Sequence, residues 1–212
     1  MNIDLITSHF DLSQLQKYQL STLADLFLEK NAQVNLISRK DEDNLVERHL
    51  LHSLSIAKFY DLDGARVLDV GTGGGFPGLP LAIFFPNATF KLIDARQKKV
   101  AAVRSFVDAL ELENVEAQHI RAEELKDKFD FVVSRAVTGL PAFTNWVSKN
   151  IDAGSFKSQH RGIIYLRGLD FDFNTINDDL HDDFDCNKVI HLSETFDFDF
   201  FSSKKIVFLQ KL

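Results

Sequence analysis

The spacing of apolar residues predicts helices over the first part of the chain. Apolar residues recur every three or four positions on what would be one buried helix face, namely Leu20, Leu23, Ala24, Phe27 and Leu28. A polar break at 39–43 separates this helix from a second one, which the same spacing predicts over 44–60. We therefore expect residues 1–62 to form an N-terminal helical cap.

From residue 66 onward, the pattern changes to alternating strands and helices. Seven apolar runs of strand length lie at 66–70, 89–94, 115–120, 129–134, 162–167, 188–192 and 204–209. Helical spacing separates the early runs, whereas the last two follow each other without a helix, which favours an antiparallel pair there. Residues 63–212 are thus predicted to form an α/β unit, a doubly wound and mostly parallel seven-stranded sheet.

A glycine-rich turn follows the first predicted strand. The turn reads Gly71-Thr72-Gly73-Gly74-Gly75-Phe76-Pro77-Gly78, and Asp94 ends the second predicted strand. Such a turn lets the backbone approach a ligand closely, and a carboxylate at the end of the second strand can accept both hydroxyls of a ribose. Together they predict a site for a nucleoside cofactor.

Two cofactors fit this turn. Gly73, Gly75 and Gly78 match G-x-G-x-x-G, so a nicotinamide-dependent oxidoreductase stays open as an alternative. Asp69, two residues before Gly71, would repel a diphosphate and attract the cationic amino-acid end of S-adenosylmethionine. The electrostatics favour S-adenosylmethionine.

Composition and charge narrow the setting. Of the 212 residues, 45% are hydrophobic and 26% charged, which is typical of a globular protein. No apolar run is long enough for a membrane span, the first residues lack a secretory signal, and Cys186 is the single cysteine, so we expect a cytoplasmic protein. The net charge of −7 is local: ten acids and one base give residues 168–201 a charge of −9, which leaves +2 elsewhere. An anionic partner can therefore bind outside that segment.

The glycine turn also resembles motif I of class I methyltransferases, which have a Rossmann-like fold. Its Phe-Pro-Gly ending is similar to the glucose-inhibited division protein B family (RsmG), and further segments agree with that family in order: Asn35-Leu36-Ile37, Arg48-His49, Ile93-Asp94, Lys98-Lys99, Arg121-Ala122-Glu123-Glu124, Phe129-Asp130, Ser134-Arg135-Ala136 and Tyr165-Leu166-Arg167-Gly168. The chain departs from the family at His52, where Asp is common, and at Arg167, where Lys is common. The resemblance implies methyl transfer from S-adenosylmethionine to N7 of a guanosine in 16S ribosomal RNA.

The resemblance also implies site residues. Gly71, Gly73 and Phe76 would line the methionine and ribose part of the site, with Asp94 on the ribose and Ala122 and Glu123 near the adenine. The full predicted cofactor set is Asp69, Gly71, Gly73, Gly75, Phe76, Asp94, Ala122, Glu123 and Arg135. The predicted RNA contacts are Arg39, Arg48, Lys98, Lys99 and Arg167.

Other methylation chemistries are disfavoured. Ser134-Arg135-Ala136-Val137 stands where enzymes that methylate exocyclic amines carry Asn/Asp-Pro-Pro-Tyr/Phe, and the predicted site has no nucleophilic cysteine. Guanine N7 carries no proton, so we expect no general base, with Arg135 the one candidate for a catalytic role. His49 and His52 lack a third ligand, so no metal is expected.

The expected partner is 16S rRNA or a small ribosomal subunit particle, bound by a monomer with its acidic segment facing away. Trp146 is predicted to lie in the core. A non-catalytic module that binds S-adenosylmethionine and RNA stays open.

Overall fold

The computed structural model describes residues 1–135, 137–168 and 180–212. Its main feature is a seven-stranded sheet in the order β3-β2-β1-β4-β7-β9-β8, beside a two-stranded hairpin of β5 and β6. The strands are β1 Arg66–Val70, β2 Thr89–Asp94, β3 Val115–His119, β4 Phe131–Arg135, β5 Ser155–Phe156, β6 Gln159–His160, β7 Gly162–Arg167, β8 Phe184–His191 and β9 Lys205–Lys211.

Strand directions agree with the pattern of the sequence. The five strands from β3 to β7 in the sheet order run parallel, whereas β9 is antiparallel to both of its neighbours. The predicted doubly wound, mostly parallel sheet and the antiparallel pair at its end are confirmed. β8 begins four residues earlier than predicted, at Phe184, and the hairpin was not predicted.

The helices lie where the apolar spacing changes to a helical period. They are α1 Asp4–Thr7, α2 Gln14–Val34, α3 His52–Leu54, α4 Gly78–Phe84, α5 Gln97–Ala109 and α6 Leu140–Val147. The 3-10 helices are Arg39–Asn44, Ser55–Lys58, Ala122–Glu124, Ser148–Asn150, Leu192–Glu194 and Asp199–Ser203. A capping box between Ser13 and Gln16 starts α2, and its C-cap is Asn35, which has a left-handed φ of 54°.

The second predicted helix of the cap has a different form. Residues 44–60 do not make one α-helix; a π-helical turn over Val46–Leu51 leads into α3 and a 3-10 turn over Ser55–Lys58. The side chains of His49, in the π-helical turn, and of His52, in α3, are both buried. Local helix type depends on such tertiary packing, which apolar spacing alone does not encode.

Apolar residues cover both faces of the sheet. On one face, Phe27 of α2 joins Val67, Val133 and residues of α4 and α5 in one core. On the other, Leu68 and Val132 pack with Phe143 of α6. The helical cap therefore shares its core with the sheet, and the boundary between residues 62 and 63 stays a prediction.

The strand order defines where a ligand can bind. β1 pairs with β2 on one side and with β4 on the other, so the chain direction across the sheet reverses between β1 and β4. Open α/β sheets bind ligands beyond the carboxyl ends of the strands at such a switch point. None of the helices in the described ranges is both long and apolar enough to cross a membrane.

Candidate cofactor and RNA site

A cavity of about 420 Å³ opens at the carboxyl ends of the parallel strands. Its walls come from the glycine turn after β1, the ends of β2 and β4, the turn after β3, and the cap. The lining residues are Leu36, Ile37, Val70, Gly71, Thr72, Gly73, Gly74, Phe76, Ile93, Asp94, Ala95, Arg96, Lys99, Ile120, Arg121, Ala122, Glu123, Arg135, Val137 and Trp146. Its volume is that of a site for a small ligand, roughly 300–1,000 Å³.

The glycine turn forms the floor of the cavity. Its first two N–H groups, of Gly71 and Thr72, donate to the Ile93 carbonyl at 2.9 and 3.0 Å, which ties the turn to β2. Gly73 has a φ of +60°, and a Cβ at this position would make only ordinary contacts, 3.8 Å from the Lys99 ammonium and 3.9 Å from the Gly71 carbonyl oxygen. A left-handed residue without a side chain therefore leaves the backbone accessible to a ligand.

Asp94 fixes the other side of the turn. One carboxylate oxygen, Oδ2, accepts from the Gly73 N–H at 3.0 Å, and Oδ1 accepts from the Arg96 N–H at 2.8 Å. The residue is 9% exposed and lines the cavity. Each oxygen keeps a second lone pair, so the carboxylate can still accept hydroxyl groups from a ligand.

Asp69 supports the turn from behind. It is fully buried and is not in the cavity wall; its Oδ2 accepts from the Thr72 hydroxyl at 2.7 Å and from the Gly78 N–H at 2.9 Å. Burial raises the pKa of this carboxyl to about 7. The side chain of Asp69 therefore supports the turn, and its predicted contact with the cofactor stays a prediction.

Gly75 also lies behind the cavity wall. Its φ is +98°, and a Cβ there would collide with the side chain of Leu79. Gly75 therefore packs the turn against Leu79 of α4, and its predicted contact with the cofactor stays a prediction. Of the remaining predicted cofactor residues, the structure brings all to the cavity: Gly71, Gly73, Phe76, Asp94, Ala122, Glu123 and Arg135.

Arg135, at the end of β4, links the sheet to the cap. Its Nη1 donates to the Arg48 carbonyl at 3.3 Å, and its Nη2 lies 3.0 Å from Nδ1 of His49. The guanidinium also lies over the Phe76 ring, 5.5 Å from its centroid. Burial lowers the pKa of Arg135 to about 10, which leaves it charged at neutral pH.

His49 is the neutral partner in this contact. Burial and the charge of Arg135 lower its pKa to about 3, although Asp41, whose Oδ2 lies 3.7 Å from its Nε2, acts in the opposite direction. A neutral imidazole can accept at Nδ1, so Arg135 donates that hydrogen bond. His52 is also buried, with its ring edge-on to Phe200 at 5.3 Å.

The cap contributes cavity residues that sequence reasoning missed. Leu36 and Ile37 line the cavity, and Phe27 packs on Phe76 with ring centroids 4.9 Å apart. Phe27 also lies so close to Gly74 that no Cβ could fit there. The segment Asn35-Leu36-Ile37 agrees with the family pattern, which was the available signal for this wall.

Trp146 and Arg121 were also missed. Both line the cavity, although the helical setting of Trp146 predicted a core residue. Trp146 is half-buried and packs against the core on the α6 face of the sheet while one side reaches the cavity. An amphipathic ring at a cavity edge serves both purposes.

The predicted RNA contacts stay predictions, and they have different surroundings in the structure. Lys99 is in the cavity wall, while its exposed neighbour Lys98 is not. Arg48 pairs with Asp41 at 2.8 Å, and the Arg167 guanidinium lies over the Tyr165 ring at 5.5 Å. Arg39 is exposed on the 3-10 helix of the cap.

The acidic segment is divided between the two opposite ends of the strands. Asp182, Asp183 and Asp185 lie near the start of β8, at the edge opposite the glycine turn, because Phe184 pairs with Lys211. Glu194, Asp197 and Asp199 lie between β8 and β9, at the same strand ends as the glycine turn, and whether they face away from the RNA stays a prediction. The remaining four, Asp170, Asp172, Asp178 and Asp179, lie outside the described residues.

Solved structures share this fold at low sequence identity. A methyltransferase from Aquifex aeolicus, described as dependent on S-adenosylmethionine, aligns with a TM-score of 0.59 and 14% identity over 82% of this chain and 96% of its own. TrmN from Thermus thermophilus aligns with a TM-score of 0.56 and 18% identity over 77% of this chain and 48% of its own. These matches support the class I methyltransferase fold.

Sequence relatives match over almost the whole chain. The ribosomal RNA small subunit methyltransferase G of Flavobacterium psychrophilum is 48% identical and covers 95% of both chains. That of Bacteroides thetaiotaomicron is 44% identical and covers 98% of this chain and 100% of its own. Residues 16–165 also match the GidB family, described as rRNA small subunit methyltransferase G. The predicted family is confirmed: the chain belongs to the GidB family of small-subunit rRNA methyltransferases.

Proposed function

We propose that this protein transfers a methyl group from S-adenosylmethionine to N7 of a guanosine in 16S ribosomal RNA. Membership of the GidB family, with relatives above 40% identity over nearly their full length, carries the proposal. The family assignment replaces the nicotinamide-dependent oxidoreductase that G-x-G-x-x-G left open. The substrate is 16S rRNA or a small ribosomal subunit particle.

The cavity suits S-adenosylmethionine. Its volume of about 420 Å³ fits a ligand of that size, and the wall combines a bare backbone at Gly73 with a carboxylate at Asp94. Asp94 would hold the ribose, Ala122 and Glu123 would lie by the adenine, and Gly71, Gly73 and Phe76 would flank the methionine part. When bound, S-adenosylmethionine supplies an electrophilic methyl group.

The site supports a reaction that needs no proton transfer. The titratable side chains in the described part of the cavity wall are Asp94 and Glu123, assigned here to the ribose and the adenine, and the basic residues Arg96, Lys99, Arg121 and Arg135. His49 behind the wall is neutral and already accepts from Arg135, and Asp69 has no access to the cavity. Guanine N7 attacks with a lone pair and loses no proton, so positioning alone can supply up to ~7–11 kcal/mol.

Arg135 is suited to position an anionic group. It lies at the switch point, where the Arg48 carbonyl and Nδ1 of His49 accept hydrogen bonds from its guanidinium and the Phe76 ring covers one face. A cation held in one orientation at the cavity edge can bind the cofactor carboxylate or an RNA phosphate without much loss of side-chain freedom. This contact would orient the reactants without exchanging a proton.

The product identifies the reaction. Incubation of 16S rRNA and of small-subunit particles with the protein and S-adenosylmethionine should give N7-methylguanosine by nucleoside mass spectrometry. Borohydride and aniline cut RNA at that base, so one enzyme-dependent cut should appear. N6-methyladenosine or 5-methylcytidine as product would contradict the proposal, and cofactor binding with no turnover on either substrate would favour a non-catalytic binding module.

Two further expectations belong to this proposal. We expect the protein to act in the cytoplasm, where ribosomal RNA is found, and to act as a monomer. Light scattering during the methylation assay tests the second expectation.

A further inference from the structure

Two basic side chains share one aromatic ring outside the cofactor cavity. The Lys204 ammonium lies 4.6 Å and the Arg48 guanidinium carbon 5.7 Å from the centroid of the Phe200 ring. His52 contacts the same ring edge-on at 5.3 Å. We refer to Arg48, Phe200 and Lys204 as the Phe200 cluster.

The cluster lies at the carboxyl ends of the parallel strands, as the cavity does, on the β7 side of the switch point. Lys204 directly precedes β9, whose first residue, Lys205, pairs with Arg167 at the carboxyl end of β7. The Lys204 ammonium also lies beside the backbone of Gly168, just after β7. Arg48 is joined to the cavity wall because its carbonyl accepts from Arg135. The cluster therefore continues the cavity wall over the ends of β4 and β7.

The positive charges of the cluster are only partly compensated. Arg48 pairs with Asp41 at 2.8 Å, whereas Lys204 donates to the neutral Ser203 hydroxyl at 3.2 Å and has no ion pair with any acid in the described ranges. Burial and the nearby charge of Arg48 lower the pKa of Lys204. Holding two like charges on one ring costs free energy, which a bound anion would recover.

We propose that the Phe200 cluster binds a phosphodiester of the RNA substrate beside the nucleotide that enters the cavity. The inference rests on the proposed function, because it assumes an RNA substrate. A phosphate offers separate oxygens to a planar guanidinium and to an ammonium, and the charge of Arg48 already acts on Lys204. The Phe200 ring holds both cations in place, so little side-chain freedom is lost on binding.

One acid next to the cluster in the chain gives the inference a further test. Asp199 precedes Phe200 in the chain and is exposed, yet it forms no ion pair with Lys204 or Arg48 within the described residues. Its charge would repel a phosphate at the cluster and limit how long the RNA stays bound. Removing that charge should therefore strengthen RNA binding.

The test measures the affinity of in vitro transcribed 16S rRNA at several KCl concentrations. Lys204→Gln should raise Kd about fivefold near 0.1 M salt and reduce the slope of log Kd against log salt by about 0.7–0.9, the value for one lost phosphate contact. Phe200→Leu keeps both charges and should raise Kd about two- to fivefold with the slope unchanged. Lys204→Arg should restore the slope, and Asp199→Asn should lower Kd.

A matched control makes the same charge change at the opposite, amino ends of the parallel strands. Lys128 is exposed before β4 and pairs with Asp152 at 3.2 Å, so Lys128→Gln should leave both Kd and slope as in the wild type. S-adenosylhomocysteine affinity, measured on every variant, should not change. If Lys204→Gln keeps the wild-type slope while the wild type methylates RNA, the cluster is not a phosphate site and the proposed function stands. A wild type that neither binds nor methylates RNA overturns both.

Discussion

Nη2 of Arg135 and Nδ1 of His49 lie 3.0 Å apart and join the end of β4 to the helical cap. The hydrogen bond runs from the charged guanidinium to a neutral imidazole, because burial and the charge of Arg135 keep the pKa of His49 at about 3. The cap therefore orients the one cavity arginine that extends from the central strands. This relationship makes His49 a positioning residue for Arg135.

Removing the acceptor should misplace Arg135. We expect His49→Ala to lower kcat/KM for methylation by roughly tenfold to a hundredfold, the cost of displacing a positioned group by about 1 Å. His49→Gln should recover much of the activity, since its amide oxygen can accept the same hydrogen bond. Initial rates of methyl transfer give kcat/KM for both variants, and their melting temperatures are measured in parallel.

Rescue by glutamine separates positioning from stability. His160→Ala, in the exposed β5–β6 hairpin, provides a control for loss of a histidine far from the site. Equal activity losses in the Ala and Gln variants at equal melting temperatures would show that the contact with Arg135 does not matter to the reaction.

The buried carboxyl of Asp69 should make stability depend on pH. Its pKa is 3.8 in a model compound and about 7 in the fold, so between these values the folded chain holds a proton that the unfolded chain has lost. This contribution to stability is complete below pH 4 and is lost as the pH rises towards 7, with a slope of at most ~1.4 kcal/mol per pH unit. Asp69→Asn should remove that slope, and its amide oxygen can still accept from Thr72 and Gly78.

Urea unfolding at pH 4.5, 6 and 7.5 would test this expectation. The free energy of unfolding of Asp69→Asn, relative to the wild type, should increase with pH over this range. Asp11→Asn, at an exposed position, controls for the loss of one carboxylate. A constant difference between Asp69→Asn and wild type across the range would contradict a raised pKa.

The fold follows from the sequence more completely than the site does. Strand and helix periods predicted all seven strands of the sheet, most clearly the inner strands β1, β4 and β7, which are buried on both faces and appear as nearly continuous apolar runs. The position of a side chain on a strand is less certain: Asp69 is in motif I but faces behind the turn, where Thr72 and Gly78 bind it. Spacing along one segment cannot show which face of a turn meets the ligand.

Contacts between distant segments were the main omission. Phe27 reaches Gly74 and Phe76 from α2, and Arg48 of the cap reaches the Phe200 ring. Each pair depends on how the cap and the β8–β9 connection pack on the sheet. A single sequence carries no local signal for such packing, so these residues could be found only in the structure.

The accessible backbone at Gly73 should be needed for cofactor binding. Gly73→Ala would place a methyl group in the cavity at a φ of +60°, which an L-residue adopts at a cost of about 1–2 kcal/mol. We expect the affinity for S-adenosylhomocysteine, measured by calorimetry, to fall at least about tenfold, that is, by ~1.4 kcal/mol. Gly154→Ala imposes a similar strain at φ +100° in an exposed turn and should leave that affinity as in the wild type. Equal affinities for the two variants would show that Gly73 does not face the cofactor.

Lys98 and Lys99 should act on different ligands although they are adjacent. Lys99 lines the cavity beside Gly73, whereas Lys98 is exposed on the first turn of α5 and outside the cavity wall. We expect Lys99→Gln to weaken S-adenosylhomocysteine binding by about two- to tenfold, the value of one hydrogen bond from a charged donor at a partly exposed site. Lys98→Gln should leave cofactor affinity unchanged and, if Lys98 contacts RNA, reduce the salt slope of RNA binding by about 0.7–0.9.

Each variant is the matched control of the other, because both remove one positive charge from the same helical turn. Calorimetry with the cofactor product and RNA binding at several salt concentrations give two readouts per variant. If both variants alter the same readout to the same extent, the effect is one of net charge near the cavity, and the separation of the two lysines by the cavity wall has no functional meaning.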